Sequence, residues 1–222
     1  MIYTENIFLC LAAPLLIAVC LLKGDIRRFL VFFVVGLAAC LLSAYINSFL
    51  ALMVSGFEYA SLDYAQSAIR LTPVCEEVMK ALPLFFYLAV FKPKKEAVVS
   101  TAFAIGLGFA TLENCCYLIQ YGAGEFLFVL VRGFSAGIMH AICAAIMGYG
   151  VAFVQGRRQL AFAGAVGCLC AATTFHAMYN LMISGSGGWR AVGYLLPVVT
   201  AIVLLIVVRR PLGRRPGDEG QA

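Results

Sequence analysis

Glu76, Glu77 and Lys80 lie inside the apolar run 71–91, Glu113 and Asn114 inside 98–121, His140 inside 126–154, and His176 and Asn180 inside 160–183. A charged group near the centre of a bilayer costs at least about 2.5–3.5 kcal/mol on insertion scales, so such residues face a protein interior, find partners and mark a functional site. Glu76, Glu77 and Glu113 cannot all be ionised together in a low dielectric with only Lys80, and Arg132 from the outer end of its run, to oppose them. Burial and like charge leave either a protonated general acid or a carboxylate poised as base near neutrality. A divalent cation would relieve the same conflict. Two His plus one Glu on a shared centre make a workable catalytic zinc set, with a position left for water and another Glu to deprotonate it. A metal-free Glu/His mechanism stays open beside it, because no HExxH segment dictates a metal. No Ser/His/Asp set or Cys nucleophile suggests itself.

These residues need helices to position them. The chain has 222 residues, 63% hydrophobic and 12% charged, which excludes a soluble globular domain and points to a polytopic membrane protein. Seven spans are expected, at 7–22, 29–54, 71–91, 98–121, 126–154, 160–183 and 191–208. Their lengths favour helices over barrel strands. The expected fold is therefore an all-α, polytopic transmembrane bundle of about seven helices, with residues 1–208 as one membrane-embedded domain and 209–222 as a short basic tail. Residues 1–6 carry Glu5 and no Lys or Arg, so the first run reads as a span and not as a cleaved signal. In the third span, Pro73 suits the first helical turn and Pro83 should bend the interior.

Twelve of the sixteen basic residues fall in alternate loops and the tail: Lys23, Arg27, Arg28, Lys92, Lys94, Lys95, Arg157, Arg158, Arg209, Arg210, Arg214 and Arg215. The positive-inside rule then puts the N-terminus outside and the C-terminus in the cytoplasm. The formal charge of +5 speaks of topology and the lipid surface, not of a nucleic-acid partner. Arg132, near a helix end, reads as snorkelling to the interface.

Depth gathers the polar residues. At 1.5 Å per residue, Glu76 and Glu77 lie about 8 Å below the outer end of their helix, His176 about 10 Å, Glu113 about 12 Å and His140 about 12–20 Å. Three of them share a face with small residues: Ala102, Gly106 and Ala110 with Glu113; Gly133, Gly137, Ala144 and Gly148 with His140; Ala165, Cys168 and Ala172 with His176. Small residues let membrane helices approach closely, so these are packing faces. Lys80 neutralises Glu76 or Glu77 across one turn in a supporting role. The nine cysteines sit in apolar runs and read as small buried side chains.

Glu76-Glu77-x-x-Lys80, Phe109-x-x-x-Glu113-Asn114, the lone His140 and His176-x-x-x-Asn180, in that order on four successive helices, resemble the motifs of the PrsW family of intramembrane proteases. That family is similar to the superfamily of CAAX prenyl proteases and bacteriocin-processing enzymes, whose second motif ends in His. The resemblance covers residues 73–180. It implies that Glu76 and Glu77 activate water, that Glu113, His140 and His176 complete the catalytic or metal-binding cluster, and that Asn180 steadies the oxyanion. It further implies cleavage of a membrane-anchored regulator, such as an anti-sigma factor, near the extracytoplasmic face of a bacterial cytoplasmic membrane. The alternative is a proton- or metal-coupled transporter, since buried Glu and His chains also build proton relays. No internal repeat and few ionisable residues in the inner halves of the helices count against it.

Overall fold

The structure is a computed structural model and describes residues 25–58, 62–121 and 126–209. The described residues form six α-helices and no strand: α1 (Ile26–Val54), α2 (Leu62–Phe91), α3 (Lys95–Tyr121), α4 (Phe126–Val154), α5 (Arg158–Ser184) and α6 (Gly188–Arg209). They follow the second to seventh expected spans in order, and residues 7–22 lie outside the described residues. Among the described helices, α1 and the stretches Lys95–Ile119, Val129–Val154 and Gln159–Ser184 are long and apolar enough to cross a membrane. The 30 residues of α2 are long enough as well, but Glu76, Glu77 and Lys80 break its apolar character.

The bundle is apolar outside and polar within. Leu30, Val34, Tyr45, Phe86, Phe162 and Leu181 are exposed, while Glu76, Glu77, Lys80, Asn114, Arg132, His140 and His176 are buried. A soluble protein reverses that distribution, whereas in lipid the apolar surface is already in its preferred solvent.

Helix ends explain the first difference from expectation. The α1 helix begins at Ile26 because Asp25 caps it, its carboxylate accepting from the Arg27 backbone N–H at 3.0 Å. The α2 helix begins at Leu62, nine residues before its apolar run, so Pro73 and Pro83 are both interior. The placement of Pro73 in a first turn is therefore corrected: the helix extends past the apolar run through the polar residues around Arg70, where hydropathy gives no signal.

Close approach is built from glycine. A Cβ on Gly36 of α1 would fall 2.2 Å from the Ile105 carbonyl oxygen of α3, and one on Gly108 of α3 would fall 2.1 Å from the Phe33 carbonyl oxygen of α1. Gly106 of α3 lies against Ala144 and the His140 carbonyl of α4, Gly150 of α4 against Cys168 of α5, and Gly193 of α6 against Met182 and Ile183 of α5. Backbone contact of this kind is how membrane helices associate without a hydrophobic drive.

Two side-chain bonds tie the basic turns to one end of the bundle. Arg28 Nη2 donates to Ser100 Oγ at 3.2 Å, and Gln155 Nε2 donates to the Pro93 carbonyl at 2.7 Å. The cysteines are free where described: Cys40, Cys75 and Cys143 are buried, but Cys170 is exposed on α5. The uniform burial expected of them is corrected for Cys170, because an apolar run does not reveal which of its faces meets lipid.

Candidate functional site

Four helices each bring ionisable side chains to the interior. From α2, Glu76 and Glu77 are consecutive and so project about 100° apart, a consequence of 3.6 residues per turn. Glu77 is the enclosed one, its side chain 1% exposed, while that of Glu76 is 11% exposed. Lys80, one turn on, places Nζ 2.5 Å from Glu77 Oε1, so the supporting partner of Lys80 is Glu77.

The same Nζ lies 2.9 Å from His140 Nδ1 of α4 and over the Phe109 ring of α3, 4.6 Å from its centroid. His140 Nε2 faces Glu113 Oε2 of α3 at 2.7 Å. His176 of α5 faces Glu77 Oε1 through Nδ1 at 2.8 Å and Glu76 Oε2 through Nε2 at 3.6 Å. The two imidazole centroids are 5.2 Å apart with their planes at 88°. Glu76, Glu77, Glu113, His140, His176 and Lys80 are thus brought together in one connected cluster.

Arg132 is part of the same network, which corrects the snorkelling expectation. The guanidinium is buried, stacks over Tyr117 at 3.5 Å, donates through Nη2 to Glu113 Oε1 at 3.2 Å and through Nη1 to Asn114 Oδ1. Position near a helix end suggested the lipid interface. Acceptors on α3, unseen from the sequence of α4, draw the side chain inward instead. Asn114 also donates to the Gly133 carbonyl at 3.3 Å, linking α3 to α4. Asn180, half-buried one turn beyond His176, makes no side-chain bond to this cluster among the described residues.

One atom stands apart. Glu76 Oε2 is buried and has no hydrogen-bond partner among the described residues, one of five such buried side-chain atoms and the one that belongs to this cluster. Orphaned buried acceptors are rare and costly, about 1–3 kcal/mol each, so a chain that keeps one commonly uses it. Glu76, His140 and His176 each offer a ligand atom, all within 4.8 Å of one another and all buried. The third member of this trio is Glu76, where the family resemblance implied Glu113. Both oxygens of Glu113 already meet partners, Arg132 on one side and His140 on the other.

A family model described as PrsW family intramembrane metalloprotease matches residues 25–208 of the chain. No curated protein and no solved structure matches it.

Proposed function

The chain belongs to the PrsW family of intramembrane metalloproteases, and from that premise we propose that it hydrolyses a peptide bond of a membrane-anchored protein at the cluster of Glu76, Glu113, His140 and His176. It is a peptidase and an integral membrane protein. The observation that carries the assignment is the unpartnered Glu76 Oε2 facing His176 Nε2 at 3.6 Å, beside His140. Two acceptor atoms at that spacing call for a cation or a water between them.

The residues fit a divalent metal. Two imidazoles and one carboxylate form an N/N/O donor set suited to zinc, and an orphaned carboxylate oxygen is the atom a cation would satisfy. Glu76 and His176 would hold it directly, and His140, whose two nitrogens meet Lys80 and Glu113, would join them by exchanging one of those partners for the ion. When bound, such an ion supplies Lewis-acid polarisation of the scissile carbonyl and eases deprotonation of water.

The remaining residues divide the other tasks. Glu77 is held by Lys80 and His176 and is 1% exposed, which suits a fixed support. Glu113, at 16%, is the most open of the three carboxylates, and Arg132 steadies it. We assign it the proton relay: it takes the proton of the attacking water and returns it to the amide nitrogen as the C–N bond breaks. Asn180, one turn past His176, is assigned to the developing oxyanion on the family resemblance.

The basic turns are cytoplasmic in this reading, and the expected span at 7–22, which would put the N-terminus outside, lies outside the described residues. The clustering of Arg28, the turn at Pro93 and the turn at Gln155 at one end supports that polarity. The cluster then lies toward the extracytoplasmic face of a bacterial cytoplasmic membrane, and a single-span regulator of the anti-sigma-factor type is the substrate class. No observation favours the transporter alternative.

The test is cleavage of co-expressed single-span candidates by wild type, Glu113→Gln and His140→Ala, with metal analysis of each purified protein. Equal processing by variants that insert normally would sink the catalytic assignment. Full activity of metal-free protein would remove the metal and leave water activated by Glu and His alone.

A further inference from the structure

His140 and His176 are the two histidines of the chain, and each is bracketed by groups whose donor or acceptor character is fixed. An ammonium offers hydrogens and no lone pair, and a carboxylate offers lone pairs and no hydrogen. Around His140, Lys80 Nζ lies 2.9 Å from Nδ1 and Glu113 Oε2 lies 2.7 Å from Nε2. Nδ1 therefore accepts and Nε2–H donates. Around His176, Glu77 Oε1 lies 2.8 Å from Nδ1, so the hydrogen sits on Nδ1 and the Nε2 lone pair turns toward Glu76.

We propose that Lys80 is a positioning residue that fixes which nitrogen of His140 carries hydrogen, so that the two rings stand in opposite tautomers, Nε2–H in His140 and Nδ1–H in His176. Both assignments meet at a single atom. Glu77 Oε1 accepts from Lys80 at 2.5 Å and from His176 at 2.8 Å, so one carboxylate oxygen anchors the ammonium that orders the first ring and holds the second ring directly. The Phe109 face under Nζ at 4.6 Å keeps the ammonium between its two partners.

The arrangement makes the histidines unequal. Of the four ring nitrogens, His176 Nε2 alone keeps a lone pair that no donor among the described residues occupies. It is ready for a cation or a water. His140 joins such chemistry only by exchanging Lys80 or Glu113 for the new partner. The inference deepens the catalytic reading of this cluster and rests on it for its meaning, but its measurement needs no turnover.

Full-length protein labelled with 15N-histidine and 15N-lysine, washed with EDTA and reconstituted in lipid nanodiscs near neutral pH, gives two imidazole spin systems. Ring nitrogens with and without hydrogen are well separated in shift, and His176→Gln assigns them. The expected wild-type spectrum shows one ring protonated on Nε2, the other on Nδ1, and a through-space correlation from Lys80 Nζ to His140 Nδ1. In Lys80→Met the His140 signals should move toward averaged tautomers while those of His176 stay, and Lys80→Arg should restore the wild-type pattern. Both rings in one tautomer, either ring doubly protonated, or His140 signals unmoved in Lys80→Met would overturn the proposal. If Lys80→Met does not fold, absence of the Lys80–His140 correlation in wild type overturns it equally. A wild type without peptidase activity would defeat the functional reading and leave these spectra unchanged.

Discussion

Arg132 of α4 and Glu113 of α3 form an ion pair within the bundle, Nη2 to Oε1 at 3.2 Å, with the guanidinium itself buried. Removing one partner of such a pair leaves an uncompensated charge in a low dielectric, at about 3–5 kcal/mol. Arg132→Met should therefore destabilise by that order in denaturation from mixed micelles. Arg132→Met/Glu113→Leu should recover most of the stability and remain inactive, which separates folding from chemistry. A double variant no more stable than the single one would mean that the pair does not hold α3 to α4.

Glu76 and Glu77 are adjacent in sequence but should respond differently to the same change. Glu76→Gln breaks no hydrogen bond at Oε2, so stability should change by under about 1 kcal/mol. Activity and metal content should nevertheless collapse. Glu77→Gln takes the charge from an acceptor shared by Lys80 and His176, and it should lower stability by several times as much. Unfolding curves for both variants, alongside metal content, decide the point; similar losses of stability would argue against the division of roles.

Glu113→Gln keeps the shape of the side chain and removes its capacity to carry a proton. A positioned general base contributes about 10²–10⁴-fold, so kcat should fall by that factor with KM little changed. A drop in kcat of less than about tenfold would point the proton relay elsewhere.

Zinc should stabilise the protein in a manner that depends on both histidines. A ligand present at about 100 times its Kd adds about 2.7 kcal/mol to unfolding. The rise in Tm should vanish in His140→Ala and in His176→Ala, and EDTA should reverse it in wild type. A shift that survives both variants would place the binding site outside this cluster.

Gly108 and Gly167 offer a comparison of one substitution in two settings. Ala is favoured over Gly inside a helix by about 0.8–1.0 kcal/mol. Nothing lies within 4 Å of a Cβ at Gly167, so Gly167→Ala should stabilise α5 slightly. At Gly108 the new Cβ would sit 2.1 Å from the Phe33 carbonyl oxygen, and overpacking typically costs about 1–3 kcal/mol. Gly108→Ala should lose stability, and equal effects at the two sites would remove the case for a backbone contact between α1 and α3.

Much of this was legible from charge in an apolar setting. The expense of Glu76, Glu77, Glu113, His140 and His176 marks them out, and helical rise places them at related depths. The small residues Gly106, Ala172 and Gly148 give the packing faces correctly. Pairing was less legible. Which of two consecutive glutamates turns inward depends on the rotation of α2, and whether Arg132 reaches lipid or Glu113 depends on a neighbouring helix. The start of α2 escaped because the turn before Leu71 carries no apolar pattern, although its backbone continues the helix. The chain's most informative atom, Glu76 Oε2, is defined by the partners it lacks, and only three-dimensional packing shows that.

The glycine contacts separate two kinds of seating in the bundle. The α1 and α3 helices interlock backbone to backbone, and α3 with α4, α4 with α5 and α5 with α6 meet at glycine as well. The α2 helix contains no glycine and has two interior prolines. It is seated by side chains: Asn47 Nδ2 of α1 donates to Thr72 Oγ1 at 3.0 Å, and the bonds of the cluster join it to α4 and α5. The helix that carries Glu76 and Glu77 is thus fastened by the same residues that form the site, so a substitution in the cluster acts on the seat of α2 and on the site at once.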